Sequence, residues 1–347
     1  MDRQITRRIE TETATKKNGK TTTFIILICL VGLWFILSLT SCKQKTGEES
    51  VISVAYIENA SCWPFFVAAE RGLFEKAGLK VEAVKAKDSS EAMNALLANK
   101  VGLSVENTYS VIFAIESQSA GTLKLLVPCA ETKQKYVSHL LVPVDSNVTS
   151  VTQIRGKRIG TYTGATQVLT LKLFLKKCLN LDPEKDVTIV QVDPSLQVQA
   201  LLANQFDVLF TIEPFGASAI AKGYAKDILP FARGQILNPF PAGACSVIAQ
   251  TVPKKRKEIK IFYEVMVRAK EFIERNPDEA KAILAKWTNL DIPSVSIVKG
   301  YEYYSLQDFS EEDKKRVQDL ADLYAEAAIL PRKINTKDMF INRAELY

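Results

Sequence analysis

Short apolar runs of strand length alternate along this chain with longer segments of helical spacing. Residues 51–57 form an apolar run, 79–85 alternate apolar and charged residues, and 101–105 form a third short run. Helical patterns over 65–71 and 90–98 lie between them. Pro64 suits the first turn of one and Gly72 its close, and Ser89 or Ser90 is a natural N-cap for the other. This order predicts an open, mostly parallel sheet. Residues 123–128 continue the sheet, and 137–143 read as a strand leaving it. Strands over 157–162, 187–192 and 208–210, with helices over 166–178 and 196–203, then repeat the alternation. A strand over 244–249 brings the chain back, and helices over 257–275, 277–286 and 311–328 follow. Ser310 and Asp313 precede and open the last of these at nearly capping-box spacing.

The two alternating blocks are copies in register. Ala-Leu-Leu-Ala-Asn occurs at 95–99 and again at 200–204, a separation of 105 residues. A short buried-strand pattern follows each copy, and Ala114-Ile115 and Ala219-Ile220 keep the same offset. Tyr56 and Tyr162 echo each other further upstream, each at the end of an apolar run. Two similar α/β lobes imply a cleft between them, and clefts of that kind are where small ligands bind. Lobe one is expected over 51–140 and 244–347 and lobe two over 141–243, with two crossing strands forming a hinge.

The beginning of the chain bears on location. Residues 1–23 are polar and basic, and 24–41 are uncharged and mostly apolar, ending Leu39-Thr40-Ser41-Cys42. That run is long enough for a membrane helix, and its basic-then-apolar order also fits a secretory signal peptide. Leu-x-small-Cys at its end resembles the bacterial lipobox, which implies a signal peptide over 1–41 and a diacylglycerol group on Cys42. Residues 42–50 are then a polar tether. Either way the globular part lies outside the cytoplasm, held at a bacterial membrane in the periplasm or on the cell surface.

Composition narrows the chemistry. Removing residues 1–41 takes the net charge from +6 to +3, too weak and scattered for nucleic acid. Cys62, Cys129, Cys178 and Cys245 show no C-x-x-C spacing, so a zinc site or thioredoxin-type motif is unsupported; an oxidising compartment permits disulfides, but all four lie in or near apolar sequence, and packing is favoured over any bridge. No glycine-rich nucleotide fingerprint is present. No metal or cofactor is expected.

Residues 64–82, Pro-Phe-Phe-Val-Ala-Ala-Glu-Arg-Gly-Leu-Phe-Glu-Lys-Ala-Gly-Leu-Lys-Val-Glu, resemble the opening signature of the nitrate/sulfonate/taurine-type substrate-binding proteins of ABC transporters. That family includes relatives that bind the thiamine pyrimidine precursor. Gly156-Lys157-Arg158-Ile159-Gly160, the stretch 199–207, Glu213-Pro214 and the stretch 268–280 agree with it. The resemblance covers residues 51 to about 290. It implies a type II periplasmic-binding-protein fold of two Rossmann-like lobes. It also implies a monomeric, lipid-anchored binder that captures a sulfonate-like, taurine-like or aminopyrimidine-like ligand and delivers it to an ABC permease and its ATPase.

Ligands of open α/β sheets sit beyond the carboxyl ends of the strands, which here are the loops 58–63, 106–109, 163–167 and 211–215. Thr163, Gly164, Ala165 and Thr166 are the leading candidates. A threonine can cap the helix, and glycine lets its backbone approach an anion at the positive end of the dipole. An ordinary capped helix start is the plain alternative. Trp63 either stacks on a flat ligand or fills the core. Asn59, Asn107 and Thr108 offer neutral hydrogen bonds, or serve turns and caps. Glu213 lies 105 residues after Thr108, so the two are expected to face each other across the cleft. A carboxylate there favours an amine or amidine over a simple anion, or else it is a solvated or arginine-paired group at a helix start.

Two rival functions remain open. One is a sensor lipoprotein that signals to a membrane receptor. The other is an enzyme on the same fold, against which the chain offers one histidine, His139, and dispersed cysteines.

Overall fold

A computed structural model describes residues 50–347, with the backbone alone at Glu106, Ala165 and Thr166. The expected signal peptide, the lipid-bearing Cys42 and the tether lie outside the described residues, except for Ser50, which opens the first strand. Among the described residues no helix is long and apolar enough to cross a membrane.

The strands in chain order are β1 (Ser50–Tyr56), β2 (Leu79–Lys85), β3 (Leu103–Thr108), β4 (Leu123–Glu131), β5 (Ser138–Pro143), β6 (Arg158–Tyr162), β7 (Thr188–Val192), β8 (Val208–Ile212), β9 (Ala225–Pro230), β10 (Phe240–Ile248) and β11 (Glu302–Tyr303). Helices α1 (Trp63–Glu70), α2 (Leu73–Lys76), α3 (Ser89–Leu97) and α4 (Tyr109–Gln118) belong to the first block. Helices α5 (Ala165–Leu179), α6 (Gln197–Leu202) and α7 (Phe215–Ala221) belong to the second. The remainder is α8 (Arg256–Arg275), α9 (Pro277–Thr288), α10 (Ile292–Ser296), α11 (Glu311–Glu326) and α12 (Arg343–Leu346).

Two sheets result, in the orders β11-β4-β10-β3-β1-β2 and β7-β6-β8-β5-β9. Their plans match. In each, the first strand of the block pairs in parallel with the second and third. In each, the strand arriving from the other sheet, β10 or β5, is inserted antiparallel beside the third. The chain thus crosses twice, between β4 and β5 and between β9 and β10.

Pairing fixes the offset of the repeat. Ala55 stands opposite Ser104 in one sheet and Gly160 opposite Leu209 in the other, again 105 residues apart. Asn99 and Asn204, the last letters of the pentapeptide, both turn left-handed at φ 54°, a conformation asparagine tolerates at a helix end. The tyrosine echo is one residue out of register: the equivalent of Tyr56 is Thr161, and a one-residue slip in a strand reverses the face.

Several local expectations shift. Asp88, not Ser89 or Ser90, is the N-cap of α3, its Oδ1 accepting from the amides of Ser90 and Glu91 at 2.8 and 2.9 Å. Gly164, not Thr163 or Thr166, is the N-cap of α5. The capping box at Ser310 and Asp313 is present. None of Cys62, Cys129, Cys178 and Cys245 is joined by a disulfide.

The last fifty residues, outside the stretch that carries the sequence resemblance, complete the first lobe and brace the second. Met339–Ile341 run along β4, where Leu125 bridges Phe340 and exchanges backbone hydrogen bonds of 2.8 and 2.9 Å with Met339 and Ile341. Helix α11 reaches across to α5. Tyr324 and Thr170 share a hydroxyl contact of 2.9 Å, and Lys176 donates to the Ala327 carbonyl at 2.7 Å. Tyr162, Leu173, Ile212 and Ala217 of the second block join the apolar core of the first, so the lobes share buried surface.

Candidate functional site

The loops at the carboxyl ends of β1, β2, β3, β6 and β8 converge where the lobes meet. After β1, Asn59 caps a single 3-10 turn, its Oδ1 accepting from the Ser61 amide at 2.9 Å and from the Ser61 hydroxyl. Tyr303 holds the same loop from behind, its hydroxyl 3.1 and 3.3 Å from the Ala60 and Ser61 carbonyls. Trp63 is buried, and its indole N–H donates to the Ala280 carbonyl at 2.7 Å. Its ring therefore serves the packing between α1 and α9. After β3, Asn107 is fully buried and closes on Ser104, accepting from its hydroxyl and donating to its carbonyl. Thr108 meets the Ser110 hydroxyl at 3.1 Å.

The second lobe answers with Tyr162, Thr163 and Gly164. The Thr163 amide donates to the Val192 carbonyl at 2.9 Å, but its buried hydroxyl has no hydrogen-bond partner among the described residues. Gly164 has φ +104°, where only glycine is comfortable. A Cβ placed on it falls 3.1 Å from Asp88 Oδ2 and 3.6 Å from Ser90 Oγ, both on the first lobe. Residues Ala165 and Thr166 form the first turn of α5. Gln167, fully buried, donates to the Tyr162 hydroxyl at 2.8 Å, and its Oε1 has no partner. Ser90 Oγ is likewise buried and unpartnered. Burial pushes the Tyr162 phenol up to about 12, with the Arg233 charge and the Gln167 hydrogen bond pulling the other way.

Glu213 is placed differently from the cleft-facing carboxylate expected beside Thr108. It is buried, with Oε1 2.9 Å from His139 Nε2 and Oε2 accepting from the Ala217 amide at 2.7 Å. His139 Nδ1 lies 2.6 Å from Asp227. Burial alone lowers the imidazole pKa, but the hydrogen bonds to Asp227 and Glu213 and their charges raise it to about 10. The ring is therefore a cation held between two carboxylates, with both nitrogens engaged. What Glu213 offers the cleft is its backbone, whose carbonyl lies 3.5 Å from the Ala60 amide across the lobes.

The hinge carries a buried ion pair that the sequence patterns did not announce. Arg233, between β9 and β10, pairs with Glu131 at the end of β4 and donates to the Tyr301 hydroxyl at 2.9 Å. Glu131 also accepts from the Ser138 hydroxyl at 2.6 Å, so both crossings are tied to one carboxylate. Burial works against the guanidinium charge, and the neighbouring Glu131 and Tyr301 more than offset it.

Asp88, Ser90 and Gln167 were likewise missed as site residues. The Asp-x-x-Glu spacing of Asp88 and Glu91 is a helix-start signal that could have singled out Asp88. No local signal marks Gln167, because its role depends on which face of α5 turns inward.

The model of the NMT1-like family matches residues 45–289, more than half of the chain. No curated protein matches the chain by sequence. Among solved structures it is similar to the alkanesulfonate-binding protein SsuA from Xanthomonas axonopodis pv. citri bound to MOPS, at TM-score 0.71 and 18% identity, covering 86% of this chain and 100% of that one. It is similar to the periplasmic aliphatic sulphonate binding protein SsuA from Escherichia coli at TM-score 0.66 and 17% identity, covering 82% and 90%. The desulfurization enzyme DSZB shares the fold at TM-score 0.61 and 13% identity, covering 85% and 97%. The fold is thus that of the periplasmic binding proteins.

Proposed function

We propose, for a chain that belongs to the NMT1-like family, the role of an extracytoplasmic solute-binding protein. It takes a small organic ligand between its lobes and passes it to an ABC permease and its ATPase. Cys42 carries the lipid that keeps it at the membrane, and it acts as a monomer. The sulfonate-binding proteins of the same fold support a sulfonate-bearing ligand.

One observation carries the reading. Where the lobes meet, Thr163 Oγ1, Gln167 Oε1 and Ser90 Oγ are buried without partners among the described residues around the N-terminus of α5. Buried polar groups are seldom left unmatched, and a ligand is the natural match. The amides of the first turn, at Ala165 and Thr166, favour an anion through the helix dipole. Asp88 Oδ2 faces the same point and repels a bare anion unless the ligand also brings a donor nitrogen. An amino-sulfonate or an anionic aminopyrimidine meets both demands. Asn59, Trp63, Asn107, Thr108 and Glu213 then shape the wall, since their polar atoms are already committed. Against an enzyme reading stands His139, whose two ring nitrogens are held by Glu213 and Asp227.

A thermal-shift screen of the full chain tests this, with taurine, alkyl and aryl sulfonates, nitrate, aminopyrimidines and amino acids as the panel. A ligand at about 100 times its dissociation constant stabilises by about 2.7 kcal/mol. The reading expects a hit among compounds bearing both an amine and an anion, lost in Gln167→Leu. Preference for nitrate over every amine-bearing compound contradicts the role given to Asp88.

A further inference from the structure

A second cavity, of about 390 Å³, lies behind the loop that follows β1. Its size is within the range of small-molecule sites. Trp63, Tyr301 and Tyr303 are among its lining residues, with Lys135, Lys270, Lys281, Lys299 and one carboxylate, Glu274. The aromatic residues separate it from the interlobe site. Tyr303 holds the Ala60 and Ser61 carbonyls, and the Tyr301 hydroxyl takes the hydrogen bond from Arg233. No second-lobe strand or helix contributes to its lining.

The charges around it are unevenly matched. Lys135 is shared by Glu274 at 3.6 Å and Glu302 at 3.0 Å, and Lys270 pairs with Asp308 at 3.2 Å. Lys281 and Lys299 meet no carboxylate within ion-pair distance among the described residues. Lys281 donates to the Ser296 carbonyl, and Lys299 sits 4.3 Å above the Tyr136 ring. Two ammonium groups without an ion-pair partner among the described residues therefore border a hollow lined in part by aromatic residues, whose one carboxylate, Glu274, is already paired with Lys135. Such a hollow attracts a body that is apolar at one end and anionic at the other. The wall is held in shape by a glycine: at Gly300, φ +70°, a Cβ would fall 3.1 Å from Trp63 Cζ3.

We propose that this cavity is a second ligand site, distinct from the interlobe one, for a small organic anion with an aromatic body. The carboxylate, sulfonate or phosphate group lies between Lys281 and Lys299, and the ring lies against Trp63 and Tyr301.

Benzoate is a suitable probe, with uncharged benzamide as its control, both titrated calorimetrically into the full chain. Benzoate should bind saturably and benzamide about tenfold or more weakly. Lys281→Gln with Lys299→Gln should weaken benzoate about tenfold or more. Lys299→Glu alone should weaken it too, and as Lys299 is exposed this variant leaves the core intact. Gln167→Leu, in the interlobe site, should leave benzoate binding unchanged. Equal binding of benzoate and benzamide overturns the proposal, as does loss of benzoate in Gln167→Leu with retention in the lysine variants. Absence of saturable binding up to about 10 mM overturns it as well.

Discussion

The two lobes are built on one plan and differ in what they leave unfinished. In lobe one the loops after β1 and β3 satisfy themselves: Asn59 with Ser61, Asn107 with Ser104, Thr108 with Ser110, and only Ser90, at the start of α3, adds an unmatched hydroxyl to the site. In lobe two the loop after β6 leaves Thr163 and Gln167 with buried oxygens unmatched. A duplicated plan thus does not give duplicated chemistry. Lobe one supplies a largely finished wall with Asp88 and Ser90 at its edge, and lobe two most of the groups that await a partner. The cores show the same divergence. Equivalent positions hold Ala55 and Val101 in one lobe and Gly160 and Phe206 in the other, so the small strand residue shrank where its neighbour grew.

The comparison can be broken most forcefully at the hinge both lobes share. Glu131→Ala leaves the Arg233 charge buried and alone, which should cost about 3–5 kcal/mol in urea unfolding. A loss below about 1 kcal/mol, the ordinary worth of an exposed pair, would show that the pair is not buried as described.

His139, on β5 of the second sheet, gives a pH signature confined to that sheet. Its pKa is raised from the ordinary 6.5 to about 10, so its stabilisation is complete below about pH 6.5 and is lost as the pH climbs through 10. Stability should decline across that window, by at most about 1.4 kcal/mol per pH unit from this group. His139→Gln should remove the slope, and an unchanged slope in that variant assigns it elsewhere.

A smaller effect tests the exchanged core volumes. In Gly160→Ala the new Cβ falls 2.5 Å from the Phe206 ring, which should cost about 1–3 kcal/mol. Adding Phe206→Val rebuilds the lobe-one pair and should recover part of the loss; independent, additive losses in the double variant would argue against a shared contact.

These residues also show how far a sequence can be read. The pentapeptide repeat and the alternation of strand and helix were enough for two similar α/β lobes, because hydrophobic period and asparagine helix ends are local signals. The tyrosine echo misled by one residue, since register is set by pairing and not by likeness of letters. Glu213 was legible as a helix-start carboxylate, but not its partner: His139 lies 74 positions away and reaches it through the pairing of β5 with β8. Arg233 and Glu131 were illegible for the same reason, joined only because two chain crossings meet at one point. Thr163 and Gly164 could be singled out because loop, glycine and helix start are adjacent in sequence, whereas the burial of Gln167 depends on which face of α5 turns inward.

The hydroxyl that a ligand engages after β6 of lobe two should therefore matter more than the one after β3 of lobe one. The direct test is calorimetric titration of the strongest ligand from the screen into the full chain and into two matched variants, Thr163→Val and Thr108→Val. Each removes one cleft hydroxyl at constant shape. The account expects about tenfold weaker binding for Thr163→Val, the worth of one hydrogen bond to the ligand, and a change within about twofold for Thr108→Val. The reverse order would place recognition in lobe one and contradict it.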